Sequence, residues 1–256
     1  MFWAWAHSRL SSDLTLKPHL ADIQELNRLA LETAPLTLTK VSASAYLDPR
    51  VSERYRLLDV GAALGRGCGP LVVSREPWSV EDPRPLKLAV PGLDTTACRL
   101  ARGAIAEHVA EWVELRYDQV MPAVLEGQVD AGVIIHESRF TYQGLGLKLA
   151  LDLGAWWEGR TGLPLPLGVM VASRALDEAT VAEVERVLGE SIRRAWELFR
   201  GDPDDEETKA LWTYLRDNAI ELDDSTMASH IDLYVNDYSL GLGAEGREAL
   251  QRFSTL

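Results

Sequence analysis

The sequence predicts an α/β fold in which helices cover both faces of a mostly parallel sheet. Two stretches carry this prediction, because each alternates short apolar runs with an amphipathic segment. They are LKLAVPGLDTTACRLARGAIAEH at 86–108 and EWVELRYDQVMPAVLEGQVDAGVII at 111–135. Continuous apolar strands separated by one-sided helices are typical of parallel strands that are buried on both faces.

The first part of the chain predicts the same alternation. An amphipathic helix is expected to end near Thr33, a strand to cover Leu36 to Thr39, and a second helix to begin around Ser42. The glycines of DVGAALGRGCGPLVV, at 59–73, predict a tight turn into a buried strand. The segment PWSVEDPRP, at 77–85, concentrates proline and charge and therefore indicates a domain boundary.

The last third of the chain predicts one strand followed by helices. TGLPLPLGVMVASR, at 161–174, has the apolar run of a buried strand. Apolar residues then recur at helical spacing from Val181 to Phe199, which predicts a long surface helix. Two further helices are expected within 205–219 and 223–236, each opened by acidic residues that favour a helix N-terminus.

Composition narrows the classes of partner. A net charge of −13 argues against a nucleic-acid partner, which needs a basic face. The two cysteines, Cys68 and Cys98, have no metal-ligand spacing, so no structural metal is expected. The opening MFWAWAHSRL lacks a cationic leader, and its apolar run is too short for a signal segment or a membrane span. We therefore expect a cytoplasmic protein without membrane insertion.

Two predicted strand ends carry groups suited to an anion. Lys40 and Ser42 follow the first strand, where the free N–H groups of the next helix could hold a carboxylate. Asp94, Thr95 and Thr96 open the helix after the Pro-Gly turn of AVPGLDTTA. Spacing alone favours ordinary helix caps at both places, because such caps are common.

A third strand end carries the catalytic candidate, His136. It follows the apolar run that ends VIIHESRFTY, and a histidine at a strand end in a cleft can act as a general base near neutral pH. The alternative is a partly buried histidine bonded to Glu137 or to a backbone carbonyl. The other four histidines flank or lie within helices and are weaker candidates.

Other signals for catalysis are weak or missing in the sequence. The glycine-rich stretch lacks the context of a dinucleotide fingerprint or a P-loop, and no Ser-His-Asp or HExxH arrangement is found. Trp156 and Trp157 could stack on an aromatic ligand but more often such residues pack inside a protein.

Five segments together resemble the 1,4-dihydroxy-6-naphthoate synthase family of the futalosine pathway of menaquinone biosynthesis. The similarity runs over nearly the whole chain, and it is most specific from His136 to Tyr142 and in WWEGRTGLPLPLG. The segments are LTKVSASAY, GAALGRGCGPLVVSR, AVPGLDTTA, GQVDAGVIIHESRFTY and LDLGAWWEGRTGLPLPLG.

The resemblance implies a fold like that of type II periplasmic binding proteins, with a ligand cleft between two α/β lobes. The first lobe would be discontinuous and comprise 1–85 and 166–256, and the second would comprise 86–165. Family members also begin with a strand and a Ser-Pro-Cys-Pro-Asn-Asp-Thr-Phe loop. This chain opens at Met1-Phe2-Trp3 instead, so that strand is expected to be absent, through a misplaced start or a truncation.

The resemblance also implies an activity: conversion of cyclic dehypoxanthinyl futalosine to 1,4-dihydroxy-6-naphthoate with release of the sugar-derived fragment. No cofactor or metal is implied, and the substrate is a small carboxylated molecule. His136 matches the family's proton acceptor. The implied substrate-binding positions are Lys40, Val41, Ser42, Thr96 and Ala97.

Three other functions compete with this interpretation. Chorismate dehydratase of the same pathway shares the fold, although HESRFTY favours the naphthoate synthase. A solute-binding protein would keep its ligand after His136→Ala, whereas an enzyme would lose turnover. An effector domain of a transcription regulator would need a helix-turn-helix unit and a basic face, neither of which the sequence contains.

Overall fold

The computed structural model describes residues 1–32, 36–218 and 223–256. Over these residues the chain forms two β-sheets, each with helices packed against it, and the sheets form the centres of two lobes. The expected end of a helix near Thr33 lies outside the described residues. The α/β class and the two-lobed fold predicted from the sequence are confirmed.

The first sheet contains four strands and is wholly antiparallel. Its longest strand pairs with each of the other three, so the last strand of the chain holds this sheet together. The strands are β1 (Leu38–Ser42), β2 (Tyr55–Leu57), β3 (Ala63–Gly65) and β9 (Leu165–Ser173).

The second sheet contains five strands in the order β6-β5-β7-β4-β8. Strand β5 runs parallel to both of its neighbours, whereas β4 runs antiparallel to both of its own. The strands are β4 (Leu71–Ser74), β5 (Leu86–Val90), β6 (Val109–Glu114), β7 (Ala131–Ile134) and β8 (Lys148–Asp152).

Helices fill the connections and most of the C-terminal third of the described chain. Two 3₁₀ helices, Ala106–His108 and Tyr142–Leu145, are also present. The α-helices are α1 (Trp3–Ala6), α2 (Ile23–Leu31), α3 (Ala43–Tyr46), α4 (Pro49–Ser52), α5 (Thr96–Ile105), α6 (Tyr117–Leu125), α7 (Ser138–Thr141), α8 (Leu153–Thr161), α9 (Glu178–Phe199), α10 (Glu206–Asn218), α11 (Asp224–Tyr234), α12 (Asp237–Leu240) and α13 (Gly243–Phe253).

The expectation of a mostly parallel sheet is wrong. Only the β5·β6 and β5·β7 pairs are parallel among the described strands. The error has a physical cause: an antiparallel strand buried on both faces, such as β4 or β9, shows the same continuous apolar run as a parallel one. Sequence patterning reports burial here and not strand direction.

The chain changes sheet earlier than the boundary predicted at residue 85. Strand β4 pairs with β7 and β8, so the first crossing falls between Gly65 and Leu71. The Pro-rich segment at 77–85 is therefore a loop within the second lobe. The chain returns to the first sheet at β9, which begins at Leu165.

Two predictions about packing are confirmed. The apolar positions of α9 bury Val181, Val184 and Val187 in a core under the first sheet. Trp157 is buried, donates its indole N–H to the carbonyl of Pro164 and meets the ring of Phe253 edge-on, as a packing residue does.

Candidate functional site

A cavity of about 750 Å³ lies between the two sheets and under the C-terminal helices. Both lobes supply its walls, and α10 and α11 supply a third side. The polar residues that line it are Asp22, Lys40, Ser42, Thr95, Thr96, Tyr117, His136, Glu137, Tyr214, Asn218, His230 and Tyr234. The candidate base and four of the five predicted binding positions line this cavity, and Val41 is the exception.

His136 reaches this cavity through an unusual backbone conformation. Strand β7 ends at Ile134, and His136 then adopts a φ of +55°, in the left-handed region that few residues other than glycine occupy. The turn directs the imidazole away from the sheet and against the ring of Tyr117, with the ring centroids 5.2 Å apart and nearly perpendicular. A strained backbone conformation of this kind persists only where the surrounding structure holds the residue in place, and such residues cluster at functional sites.

The imidazole of His136 is neutral and free to accept a proton. Among the residues that the structure describes, neither of its ring nitrogens has a hydrogen-bond partner. Burial, with smaller contributions from the nearby His230 and Lys40, lowers the pKa of His136 to about 4. The alternative of a histidine bonded to Glu137 or to a carbonyl is therefore not what the structure contains.

The loop that carries His136 is anchored to the glycine-rich turn. Arg139, three residues on, donates to the carbonyl oxygen of Gly69 and lies 3.6 Å from a carboxylate oxygen of Asp152. Gly69 in turn lies directly against Gly154 at the start of α8, so closely that a Cβ on Gly69 would overlap the Gly154 backbone. The glycine-rich segment thus supports the site through close packing.

Lys40 and Ser42 come from β1 and face the cavity together, because side chains alternate along a strand. Val41 between them points the opposite way and is fully buried in the core, so only its backbone is available to a ligand. Burial lowers the pKa of Lys40 to about 8, which leaves the ammonium mostly protonated at neutral pH.

The helix after Ser42, where an anion site is predicted, is the single turn α3, and the N–H of Ser44 in that turn donates to the Thr96 hydroxyl oxygen at 3.4 Å. The backbone N–H of Ser42 itself donates to the side-chain oxygen of Asn27 at 2.8 Å. The hydroxyl of Ser42, and not its N–H, is the group that lies at the cavity.

Thr96 and Ala97 open α5 beside these residues. Thr95 is the helix cap, since its hydroxyl accepts the N–H of Cys98 at 3.2 Å. The Thr96 hydroxyl donates to the carbonyl of Leu167 on β9 at 2.8 Å and so joins the two lobes. Within the described chain the backbone N–H groups of Thr96 and Ala97 have no acceptor, and they are available to a ligand.

The sequence analysis did not assign two residues of the cavity wall and one residue beneath it. Tyr117 begins α6 and packs on His136, and His230 on α11 places its ring centroid 6.1 Å from that of His136. The Nε2 atom of His230 is buried and finds no partner among the described residues. Burial lowers the pKa of His230 to about 4, with a further contribution from Lys40. Asn27, fully buried under Ser42, is the third.

Two features are absent from the described residues. These residues contain no cluster of three or more His, Cys, Asp or Glu side chains placed to hold a metal ion. None of their helices combines the length and the apolar character that a bilayer crossing requires.

Two lobes with a cavity between them place the fold in the class of periplasmic solute-binding proteins. The aliphatic sulphonate binding protein SsuA of Escherichia coli superposes with a TM-score of 0.59 at 18% identity, covering 88% of this chain and 75% of that one. Protein AF1704 of Archaeoglobus fulgidus superposes with a TM-score of 0.86 at 35% identity, covering 99% and 90%.

The chain belongs to the menaquinone biosynthesis family, whose sequence model matches residues 1–256. It is 46% identical to a 1,4-dihydroxy-6-naphthoate synthase of Thermus thermophilus over 98% of this chain and 87% of that protein. It is 39% identical to a protein of the same name from Streptomyces coelicolor over 100% of this chain and 87% of that protein. The family resemblance expected from the sequence is thereby confirmed.

Proposed function

We propose that this protein is a 1,4-dihydroxy-6-naphthoate synthase, a lyase that converts cyclic dehypoxanthinyl futalosine to 1,4-dihydroxy-6-naphthoate and the sugar-derived fragment. Two relatives of that name, at 46% and 39% identity, support the assignment. The observation that carries it is the neutral, unpartnered imidazole of His136, turned into the interlobe cavity by a left-handed backbone.

In this proposal His136 takes a proton from the bound substrate. The electron pair of the broken bond to hydrogen forms a new double bond in the ring system. The bond to the sugar portion breaks as this happens, and its electrons leave with the fragment. The fragment then takes a proton, for which protonated His136 is the nearest source, so that the histidine ends neutral. Formation of the aromatic naphthalene ring supplies the driving force.

The remaining polar groups hold the substrate. Lys40 supplies a positive charge for a carboxylate, and Ser42 a hydroxyl. The N–H groups of Thr96 and Ala97 supply further donors at the N-terminus of a ten-residue helix. These interactions are stronger in a cavity that excludes water than on a surface.

A bound carboxylate would also raise the pKa of His136. In the free protein burial, His230 and Lys40 together hold the pKa of His136 near 4, which makes it a weak proton acceptor. A substrate anion that pairs with Lys40 cancels that charge and raises the pKa of His136. The base would therefore be strongest when the substrate is in place.

The test is product formation from cyclic dehypoxanthinyl futalosine, followed by chromatography, for the wild-type chain, His136→Asn and a control, His108→Asn. His108 lies at the amino end of β6, at the opposite edge of the sheet from the cavity. We expect product from the wild type and the control and a loss of at least about a hundredfold in His136→Asn.

Three outcomes would contradict the proposal. Tight binding without product from the wild type would favour the solute-binding interpretation. Water loss from chorismate, with no reaction of the futalosine substrate, would favour chorismate dehydratase. Full activity of His136→Asn would leave the reaction assigned but remove His136 as the base.

A further inference from the structure

Asn27 makes a two-point contact with Ser42 beneath the floor of the cavity. Its Oδ1 accepts the backbone N–H of Ser42 at 2.8 Å, and its Nδ2 donates to the Ser42 hydroxyl oxygen at 3.0 Å. Asn27 lies on α2, which packs on β1, and it is completely buried. A buried amide that satisfies both of its ends on a single residue fixes that residue firmly.

The orientation of the Asn27 amide is unambiguous. A backbone N–H can only donate, so the side-chain atom that meets the nitrogen of Ser42 must be the carbonyl oxygen. The amide nitrogen is then the atom that meets the Ser42 hydroxyl, and an amide nitrogen can only donate. The Ser42 oxygen is therefore an acceptor in this pair, and its own proton is left over.

The proton of the Ser42 hydroxyl has no acceptor within the described part of the chain. Since Ser42 lines the cavity, that proton is available to a ligand. Thr96 differs, because its hydroxyl already donates to the carbonyl of Leu167 at 2.8 Å and can offer a ligand only a lone pair. The hydroxyls of Ser42 and Thr96 therefore have opposite hydrogen-bonding roles.

The surroundings of Ser42 indicate what accepts its proton. Lys40 lies two residues earlier on the same face of β1, about 7 Å along the strand. Gly168, opposite Ser42 on β9, has no side chain to fill the space, and the Lys40 side chain passes beside it. A donor and a cation on one face favour an anionic oxygen between them.

We propose that Asn27 is a positioning residue that turns the Ser42 hydroxyl into a dedicated donor for a carboxylate oxygen of the substrate. The inference rests on the proposed function for the identity of that substrate. It adds a residue that never touches the ligand but sets the direction of the hydrogen bond that does.

The test is a double-mutant cycle of Asn27→Leu and Ser42→Ala, read as KM and kcat for cyclic dehypoxanthinyl futalosine. Ser42→Ala loses a hydrogen bond to a charged acceptor, so KM should rise about tenfold or more. Asn27→Leu frees the hydroxyl to rotate, and KM should rise by roughly three- to tenfold. If Asn27 acts through Ser42, the double variant should resemble Ser42→Ala to within about twofold, with little change in kcat.

Independent, multiplying effects on KM would overturn the inference, and so would an unchanged KM in Ser42→Ala. If Asn27→Leu does not fold, Asn27→Asp replaces it. An ionised aspartate can only accept, so the Ser42 hydroxyl turns toward it and KM should rise at least as much as in Ser42→Ala.

The same cycle in a His136→Asn background separates this inference from the proposed function. There the dissociation constant of the substrate, measured by calorimetry, replaces KM. If the wild-type protein binds the substrate without converting it, the proposed function is contradicted. If the effects of Asn27→Leu and Ser42→Ala on the dissociation constant are still non-additive, the role of Asn27 is nevertheless supported. A wild-type protein that does not bind the substrate would overturn both.

Discussion

The ring of His136 lies 6.1 Å, centroid to centroid, from the ring of His230, which reaches the cavity from the other end of the chain. Both imidazoles are neutral, because burial lowers the pKa of each to about 4 and Lys40 acts on both in the same direction. His230 is also the second cause of the low pKa of His136, after burial. A positive charge on His230 therefore opposes protonation of His136.

Replacing His230 with glutamine should move the acid limb of the activity profile. The variant removes a neighbour that becomes positively charged in acid, so the pKa of His136 should rise and the limb of kcat/KM should shift upward by up to about one pH unit. The measurement is kcat/KM from pH 3.5 to 7. An unmoved limb would mean that the two rings do not influence each other.

The wild-type profile should be bell-shaped with unusually wide limits. His136 accepts a proton only when it is neutral, so kcat/KM should fall below about pH 4. Lys40 loses its charge as the pH rises through about 8, so carboxylate binding and kcat/KM should weaken above that value. Between these limits the profile should be flat. A fall near pH 6.5, where an ordinary histidine titrates, would contradict the account.

Lys40→Met should stabilise the free protein while it weakens substrate binding. Burial holds the pKa of Lys40 at about 8, below its usual 10.5, so the charged form is disfavoured in the folded state. At pH 7 Lys40 is protonated in both the folded and the unfolded chain, so its burial lowers the free energy of unfolding. This loss of stability disappears only as the pH rises from about 8, the folded pKa, through 10.5, the usual pKa. Methionine should raise the free energy of unfolding by about 1 kcal/mol. Denaturant titration and KM, which should rise at least about tenfold, give the two readouts.

Gly69→Ala tests whether close packing at the glycine-rich turn supports the site. The added methyl group would overlap the backbone of Gly154, and the shift should cost about 1–3 kcal/mol of stability. It should also lower kcat, because Arg139 anchors the loop of His136 on the Gly69 carbonyl. Gly159→Ala is the control: it lies within α8 with open space around it and should not destabilise the protein. Equal stability of Gly69→Ala and Gly159→Ala would show that the close packing of Gly69 does not support the site.

Part of the site could be predicted from sequence because it lies at strand ends. Ser42, Thr96 and His136 each lie where a strand gives way to a turn or a helix, and such positions converge in an α/β fold. Their functional roles came from the family resemblance, since spacing alone allowed ordinary caps. The side chain of Val41 points into the core, which a match of sequence positions does not reveal, so a ligand could meet this residue only through its backbone.

The other site residues and the strand pairings could not be predicted from the sequence, because they depend on how distant segments of the chain pack together. His230 is one of several histidines in helices, and only the packing of α11 over the cavity brings it to His136. Asn27 looks in sequence like an ordinary polar residue of an amphipathic helix, yet the structure buries it completely. The strand pairings of β4 and β9 were missed for the same reason, since local patterning does not encode partners.

The most direct test of the account is a comparison of binding and turnover in His136→Asn. Asparagine tolerates the left-handed backbone that His136 adopts, so the loop should keep its shape while the base is lost. The account predicts a kcat that is lower by about 10²–10⁴-fold, with a substrate dissociation constant within about threefold of the wild-type value. A variant that turns over normally, or one that loses binding and turnover in equal measure, would contradict the role of His136 as the proton acceptor.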